Sequence, residues 1–348
     1  MKVEFTRLAL CVALMAGSPG VGAAELESET RAPGTGTEIS EAVTGAFEPG
    51  TQIPGIGTEA TESGTELSVL SYNVHGIFRF AAKDDPHNRM PAIGWLASRY
   101  DVAMFQEDFE YHHVLRDQMP GAVGVRGNGM GWDPRRVFAK LLTLPVSVFL
   151  PHFSPPYGAG ISIFVRKSLA IADDVDREPY GLCRGWFGAT GDCWALKGYQ
   201  RVGIRTPEGA EIDLYNTHLE AGASDYAVQI RIQQLDILAR AIEARSRMRA
   251  VIIGADFNTA FNRMGDRDSL MKFRRRLELR DSGAGPELKG WRERDYILYR
   301  DGTATALHVE ESGEALEFVE RNRALSDHPA IYARFRITPR TGTEGEGR

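Results

Sequence analysis

Residues 251–258, Val-Ile-Ile-Gly-Ala-Asp-Phe-Asn, constrain the fold of this 348-residue chain more than any other stretch. An apolar run of this length is typical of a strand that is covered on both faces. Gly254 allows the backbone to turn or to approach a neighbour closely. Because side chains alternate along a strand, Asp256 and Asn258 are predicted to point into one cleft. A strand end followed by an Asx turn is an equally good explanation of these eight residues.

Other apolar segments of the chain also carry acidic, amide or imidazole side chains. They are residues 67–75, 102–108, 211–220, 295–298 and 325–331. Taken in order with 251–258, these six motifs resemble those of the endonuclease/exonuclease/phosphatase superfamily, the DNase I-like metal-dependent phosphodiesterases. The resemblance covers residues 67 to about 337. Each motif is weak alone, and their order carries the resemblance.

The predicted fold class is α/β. Met90, Ile93, Leu96 and Ala97 recur at helical spacing before an apolar strand at 102–105, and Ser224 can cap a long amphipathic helix that runs into 251–258. Such alternation predicts apolar strands buried under helices. The resemblance adds the specific architecture, a four-layer DNase I-like sandwich of two packed mixed β-sheets flanked by helices.

Four segments are expected along the chain. Residues 1–24 have the positive start, short apolar run and small-residue end of a signal peptide, so export to the periplasm or the medium is predicted. Residues 25–66 are rich in Gly, Thr and Glu and are predicted to form a disordered acidic linker. Residues 67–337 are expected to form one catalytic domain, and 338–348 a loose tail. No later run is long and apolar enough to cross a membrane.

The overall charge of −6 describes the linker rather than the folded part. Nine Glu and one Arg give residues 25–66 a charge of −8, and residues 1–24 carry +1, which leaves +1 for residues 67–348. Charge therefore does not exclude a nucleic-acid substrate.

Two cysteines remain after the predicted cleavage of the signal peptide, which contains Cys11. An even pair in an exported protein predicts a disulfide between Cys183 and Cys193, and two free buried thiols are the alternative.

The resemblance implies a set of roles for the polar residues of the six motifs. Glu107 and Asn73 match metal ligands for Mg²⁺, or for Mn²⁺, and Asp327 matches a residue that serves the metal or positions water. His328 is the expected general base, oriented by Asp295. Asp256 is expected to orient the attacking water, while Asn258 and His218 stabilise the phosphoryl oxygens and Asn216 assists in substrate binding. The alternatives are ordinary ones: a solvated carboxylate, a capping amide, a buried core histidine and a surface His-Pro turn.

The substrate is predicted from less specific signals. Asp192 and Lys197-Gly198 resemble the Asp-x-x-x-x-Lys-Gly loop of neutral sphingomyelinase-type members, although a salt-bridged surface turn has the same pattern. Aromatic and apolar insertions at 141–153 and around Trp186, Phe187 and Trp194 are expected to contact lipid, with core packing as the alternative.

These signals favour an exported sphingomyelinase-like phospholipase C that acts, as a monomer, on sphingomyelin or lysophospholipid at a membrane surface. A secreted DNase I-like endonuclease or an inositol-phosphate phosphatase is the alternative, and a binding protein without turnover is the third possibility. Clustered zinc ligands and a Gly-x-Ser-x-Gly elbow are absent from the sequence.

Overall fold

The computed structural model of this protein describes residues 64–77, 85–129, 158–185, 191–283 and 294–340. The predicted signal peptide, nearly all of the predicted linker, residues 341–348 of the predicted tail, the insertion 141–153, and Trp186 and Phe187 lie outside the described residues.

Strands and helices alternate through most of the described chain. The helices are α1 (Pro86–Ala97), α2 (His112–Asp117), α3 (Asp225–Arg245) and α4 (Met264–Arg276). The strands are β1 (Thr65–Asn73), β2 (Val102–Gln106), β3 (Ala122–Arg126), β4 (Ile161–Arg166), β5 (Ala170–Pro179), β6 (Gly198–Arg205), β7 (Glu211–His218), β8 (Ala250–Asp256), β9 (Arg280–Asp281), β10 (Asp295–Arg300), β11 (Thr305–Glu314), β12 (Val319–Glu320), β13 (Arg323–Ala324) and β14 (Ile331–Pro339).

Two six-stranded mixed sheets form the framework, which confirms the predicted fold class. Their strand orders are β11-β14-β1-β2-β4-β3 and β5-β6-β7-β8-β10-β9. Each sheet has one parallel pair near its centre, β1 with β2 and β7 with β8, and its other pairs are antiparallel. The carboxyl ends of the four parallel strands carry the polar motifs of the sequence.

The apolar side chains alternate between an inner core and two outer layers. Ile252 of β8 belongs to the core between the sheets, with Val69, Met104 and Leu214. Its neighbours Val251 and Ile253 face the other way and pack with residues of α3 and α4. Leu70 and Phe105 similarly pack with residues of α1 and α2 on the outer face of the first sheet. Full burial of such a side chain stabilises the fold by about 1.5 to 3 kcal/mol.

Gly254 has a specific role in bringing the sheets together. A Cβ atom at this position would collide with Met104 and press on Ser71 of the opposite sheet. The glycine therefore permits a close approach of β8 to β1 and β2, just before all three strands reach the polar edge.

Helix α3 begins as its sequence predicts, because the Ser224 hydroxyl accepts a hydrogen bond from Ala227 N at 3.2 Å. Strand β4 begins at Ile161, directly after two glycines with positive φ angles. Gly158 and Gly160 have φ angles of +82° and +59°, which break the extended conformation. At the domain limits, pairing of Thr65 with Ile337 and of Thr305 with Pro339 carries the first sheet two residues beyond both predicted boundaries, 67 and 337. Among the described residues, no helix has the length and apolar character needed to span a membrane.

Candidate active site

The two parallel strand pairs place the polar motifs at one edge of the sandwich. Asn73 at the end of β1 is level with Gln106 at the end of β2, and His218 at the end of β7 is level with Asp256 at the end of β8. Asp295, the first residue of β10, also pairs with Asp256. The Asn73 amide nitrogen donates to Asp256 Oδ2 at 2.9 Å, so the two sheets meet at this edge through their functional side chains.

The partly buried Glu107 and the buried Asp256 form a pair of carboxylates joined by one amide. Asn73 Nδ2 also donates to Glu107 Oε1, at 3.3 Å. Glu107 has a φ angle of +58°, a strained conformation for a non-glycine residue that here directs its side chain at the strand ends. Burial raises the pKa of Glu107 to about 7, and the charge of Asp256 adds to this increase.

His328 and Asp295 form a hydrogen-bonded pair beside these carboxylates. His328 Nδ1 lies 2.8 Å from Asp295 Oδ2, and His328 Nε2 lies 3.8 Å from Asp256 Oδ2. Burial lowers the pKa of His328, but the hydrogen bond to Asp295 and the charges of Asp256, Asp295 and Asp327 outweigh it and raise the pKa to about 9. Burial also raises the pKa of Asp295, to about 6.

His218 faces two donors. Asn258 Nδ2 lies 2.9 Å, and Lys197 Nζ 3.3 Å, from His218 Nε2. Burial, together with the charge of Lys197, lowers the pKa of His218 to about 3. His218 is therefore neutral, and the imidazolium form is disfavoured. Lys197 supplies the positive charge at this position instead.

Asp256 accepts hydrogen bonds from two partners. They show whether residues 251–258 end in an Asx turn or in a polar cleft. Its Oδ1 accepts from Asn258 N at 2.9 Å, as in an Asx turn, while its Oδ2 accepts from Asn73. The Asx turn directs the Asn258 side chain toward His218. Residues 251–258 therefore form an Asx turn that itself places polar side chains in the cleft.

The donor set fits a hard divalent cation. The carboxylates of Glu107 and Asp256 lie together with a neutral amide, and positive charge there would keep Glu107 ionised. The ligand atoms of Asp256, Asp295 and His328 also lie within 4.8 Å of one another. Because both Asp295 oxygens are already engaged by His328 Nδ1, the group formed by Glu107, Asp256 and Asn73 is the better fit. The Asn73 amide turns its nitrogen to the carboxylates in this structure, so ligation through Oδ1 requires the amide to flip.

Two predicted site residues do not join this group. Asn216 is fully buried between the sheets, where it donates to Phe105 O and Ser162 O and accepts from Gln106 Nε2, each at 2.8 Å. Asn216 ties the sheets together and does not reach the cleft. Asp327 has a side chain that is 58% exposed and lies 3.3 Å from His75 Nδ1. It contributes charge near His328 without facing Glu107.

Some residues that shape the site were not predicted from the sequence. The buried Arg89 of α1 donates to the carbonyl oxygens of Val74, His75 and Leu325, and so holds the loop that carries His328 against the end of β1. Ser326 donates to Asn73 O at 2.7 Å and strengthens the same link. Arg89 could have been identified from the sequence, because the apolar spacing of the helix places this arginine on the face that points inside the fold.

Asp108, also missed, supports the strained backbone of Glu107. Its Oδ2 accepts from Ser162 Oγ at 2.6 Å and lies 3.1 Å from His112 Nδ1, and its N–H donates to Gly160 O at 3.1 Å. The side chain is fully buried. Its position after Glu107 in the second motif was the only signal in the sequence.

The described residues around the disulfide, 183–185 and 191–197, are called the disulfide segment, and they are attached to the end of β7. The structure contains the predicted Cys183–Cys193 disulfide. Asp192 binds Lys197 Nζ at 3.0 Å and accepts from Ala221 N at 2.6 Å, while Lys197 donates to Leu219 O at 2.7 Å. Asp192 and Lys197 therefore connect the disulfide segment to His218, and Lys197 is only 5% exposed.

Comparison with solved structures supports the fold. The structure of the human Nocturnin catalytic domain with bound sulfate anion is 17% identical and has a TM-score of 0.56, over 78% of this chain and 94% of that one. A structure of beta toxin from Staphylococcus aureus, a mutant with bound magnesium ions, is 16% identical and has a TM-score of 0.52, over 77% of this chain and 99% of that one. At these identities the likeness concerns the fold alone.

Sequence comparison identifies the family. Proteins named sphingomyelinase from Mycobacterium tuberculosis and Mycobacterium bovis are 27% identical over 288 residues, which cover 76% of this chain and 52% of theirs. The chain thus spans about half the length of these relatives. A model described as the Endonuclease/Exonuclease/phosphatase family matches residues 70–328. The chain therefore belongs to the endonuclease/exonuclease/phosphatase family, and it is a hydrolase of the phosphodiesterase or phosphatase kind.

Proposed function

We propose that this protein is an exported, Mg²⁺-dependent phosphodiesterase of the phospholipase C type, with a sphingomyelin-like phospholipid as its substrate. The observation that carries the proposal is the position of the His328–Asp295 pair beside Asp256, with His328 Nε2 3.8 Å from Asp256 Oδ2. A water molecule between these two atoms can lose its proton to the histidine and be aligned by the carboxylate.

The other side chains have roles that follow from their contacts. Asp295 holds the His328 ring through Nδ1, which leaves Nε2 as the atom that takes the proton. Lys197 and the Asn258 amide are donors beside His218, and they are placed to stabilise negative charge on the phosphoryl oxygens. Glu107, Asp256 and Asn73 would hold a divalent cation, which neutralises phosphoryl oxygens as a Lewis acid when bound.

The pKa of His328 bears on how it acts as a base. At about 9, His328 is mostly protonated at neutral pH in the metal-free protein, and a base must be unprotonated. Positive charge close to Asp256 lowers this pKa. The resting protein and the working enzyme therefore differ in the protonation of His328.

Lipid is favoured over nucleic acid by two observations. The curated relatives bear the name sphingomyelinase, and Asp192 with Lys197 joins the disulfide segment to the phosphoryl side of the site. The disulfide and the amino-terminal sequence also support export. Several arginines on the described surface are paired with acids, as Arg276 is with Asp236 and Glu243, and such pairs leave fewer basic side chains for the phosphates that a nuclease must bind.

A substrate panel tests the proposal. Sphingomyelin, lysophospholipid, plasmid DNA, RNA and inositol phosphates are each incubated with the protein and Mg²⁺, with and without a chelator. Release of phosphocholine from sphingomyelin, abolished by the chelator, is expected. Plasmid cleavage without lipid turnover would instead assign the protein to the endonucleases, and turnover of inositol phosphates alone to the phosphatases. Lipid turnover with Glu107→Gln, undiminished by chelator, contradicts the metal role.

A further inference from the structure

A group of exposed apolar and arginine side chains lies where α3 and α4 begin. Tyr226 and Met264 are 60% and 69% exposed, and Phe261 is 39% exposed. The Arg184 guanidinium lies 5.7 Å from the centre of the Tyr226 ring, and that of Arg267 lies 5.5 Å from the Phe261 ring. Together with Arg263, these side chains are called the helix-start surface.

The two helix starts are held side by side by buried contacts. Arg231 of α3 binds Asp266 of α4 through two hydrogen bonds, at 2.8 and 3.0 Å. A Cβ atom at Gly265 would collide with Val228, so the glycine permits the close approach of α4 to α3. Tyr226 and Met264 each lie within two residues of this contact, on the exposed side of their helices.

The helix-start surface is continuous with the active site. Arg263 donates to Gly222 O and to Asn258 O, each at 3.3 Å, and Asn258 in turn contacts His218. On the other side, Arg184 follows Cys183 of the disulfide and bonds to the Ser224 hydroxyl. The surface therefore joins the disulfide segment to the loop that carries Asn258.

We propose that the helix-start surface docks the enzyme on a zwitterionic phospholipid bilayer, beside the active site. The proposal deepens the proposed function and rests on it for the identity of the substrate. Tyr and Phe side chains partition to the headgroup level of a bilayer, where Met adds buried apolar area. Arginine is well suited to pair with the lipid phosphates.

The charges of the surface favour a zwitterionic bilayer over a polyanion. Arg184, Arg263 and Arg267 are accompanied by the exposed acids Asp225 and Asp268, and Arg267 Nε lies 3.4 Å from Asp268 Oδ1. Three cations with two nearby carboxylates match headgroups that carry both signs. A surface that binds nucleic acid would instead need an excess of basic side chains, and exposed apolar side chains such as Tyr226 and Met264 would add little to it.

Flotation with vesicles of phosphatidylcholine and sphingomyelin, at about 0.15 M salt, measures the docking directly. In the double variant Tyr226→Ser/Met264→Ser, the vesicle partition coefficient is expected to fall about tenfold or more, because exposed apolar area that enters the bilayer is lost. Turnover of a soluble phosphocholine ester should remain as in the wild type. Met264→Ser alone is used if the double variant has a lowered melting temperature, since its side chain is the most exposed of the three.

Trp95→Ser is the matched control. Trp95 is 57% exposed and has an arginine, Arg99, 4.4 Å from its ring centre, but it lies on α1, which covers the other sheet. Its vesicle binding should equal that of the wild type.

The outcomes separate the docking surface from the proposed function. Wild-type protein that binds vesicles through Tyr226 and Met264 but does not hydrolyse lipid supports the surface and contradicts the function. Hydrolysis of vesicle lipid with unchanged binding of the double variant overturns the surface alone. The surface is also overturned if the wild type does not bind vesicles, if Trp95→Ser loses binding equally, or if the double variant loses salt-sensitive DNA binding instead.

Discussion

At the scale of single residues, charge decides how the histidines of the site can act. His328 lies among three carboxylates and has a pKa of about 9, whereas His218 is buried beside Lys197 and has a pKa of about 3. Two imidazoles at one edge of the sandwich are thus held in opposite protonation states. The pKa of His328 lies closer to neutral pH than that of His218, and its Nε2 faces Asp256, so His328 is the better candidate for the general base.

Replacement of His328 by Ala should remove the base and leave the fold intact. We expect kcat to fall by roughly 10²-fold or more, with little change in melting temperature. His113→Ala is the matched control, because His113 is exposed and outside the site. Near wild-type kcat in folded His328→Ala protein would show that another group deprotonates water.

Replacement of Asp295 by Asn should shift the pH profile. Activity requires unprotonated His328, so kcat/KM rises with pH through the His328 pKa. An isolated histidine would place this acid limb near 6.5, and the carboxylates around His328 move it above that value, by less with a cation bound than in the metal-free protein. Without the Asp295 carboxylate the limb should appear at lower pH, while the maximal rate falls because the ring loses its orienting partner. A limb that stays in place would contradict the role of Asp295.

At the scale of elements, the site depends on how the loop before β14 is tied to the end of β1. Arg89 and Ser326 make these ties through backbone carbonyl groups, so the position of His328 relative to Asn73 is set by hydrogen bonds rather than by chain connectivity. The disulfide segment is tied to the end of β7 in a comparable way, through Asp192.

Replacement of Ser326 by Ala should loosen the His328 loop. Loss of this buried hydrogen bond is expected to cost about 1 kcal/mol of unfolding free energy, measured by urea denaturation. The rate constant kcat should fall as well. Ser269→Ala is the control, since Ser269 also donates to a backbone carbonyl, Asp266 O at 2.9 Å, but lies on α4. Lower stability and lower kcat in Ser326→Ala, with kcat unchanged in Ser269→Ala, is the expected pattern; equal kcat in the two argues against a positioning role.

Removal of the disulfide should destabilise the protein. For Cys183→Ser/Cys193→Ser we expect a loss of roughly 2.5 to 3 kcal/mol in unfolding free energy, from the entropy of the short loop that the bond closes. Mass spectrometry of unreduced peptides identifies the bond in the exported protein. Free thiols at both positions in protein from an oxidising compartment would contradict it.

At the scale of the whole molecule, the two sheets are joined at the edge where the chemistry is placed. Each sheet supplies part of the cation site, Asn73 and Glu107 from one and Asp256 from the other. Binding at such a shared site stabilises the packing of the sheets, because the cation binds only the folded arrangement.

Added Mg²⁺ or Mn²⁺ should therefore raise the melting temperature. A cation present at about 100 times its dissociation constant contributes about 2.7 kcal/mol, and scanning calorimetry of the protein without substrate measures the shift. Glu107→Gln should remove most of it, while Glu178→Gln, which changes an exposed acid on β5, should not. An equal shift in both variants would place the cation elsewhere.

The sequence by itself determined the family, the α/β class and most of the residues that meet at the site. These follow from patterns of short range: apolar runs that end in polar residues, the serine cap of α3, and helical spacing in α1. Asp256, Asn258, His218, Glu107, Asn73, Asp295 and His328 were all predicted, and the structure brings them to one edge. The even pair Cys183 and Cys193, in a chain with a predicted signal peptide, likewise predicted the disulfide that the structure contains.

Only the tertiary structure decided what depends on contacts between distant segments. Asn216 and His218 share a strand face, yet packing of the second sheet against the first buries Asn216 among Gln106, Phe105 and Ser162. Contacts between distant segments also determine the exposure of Asp327 and the hydrogen bonds of Arg89 to backbone carbonyl groups. They likewise determine the opposite pKa shifts of His218 and His328. The burial of a side chain and the electrostatic field at it depend on neighbours that lie far apart along the chain. Periodicity and motif spacing describe only short stretches of sequence, so they do not predict either quantity.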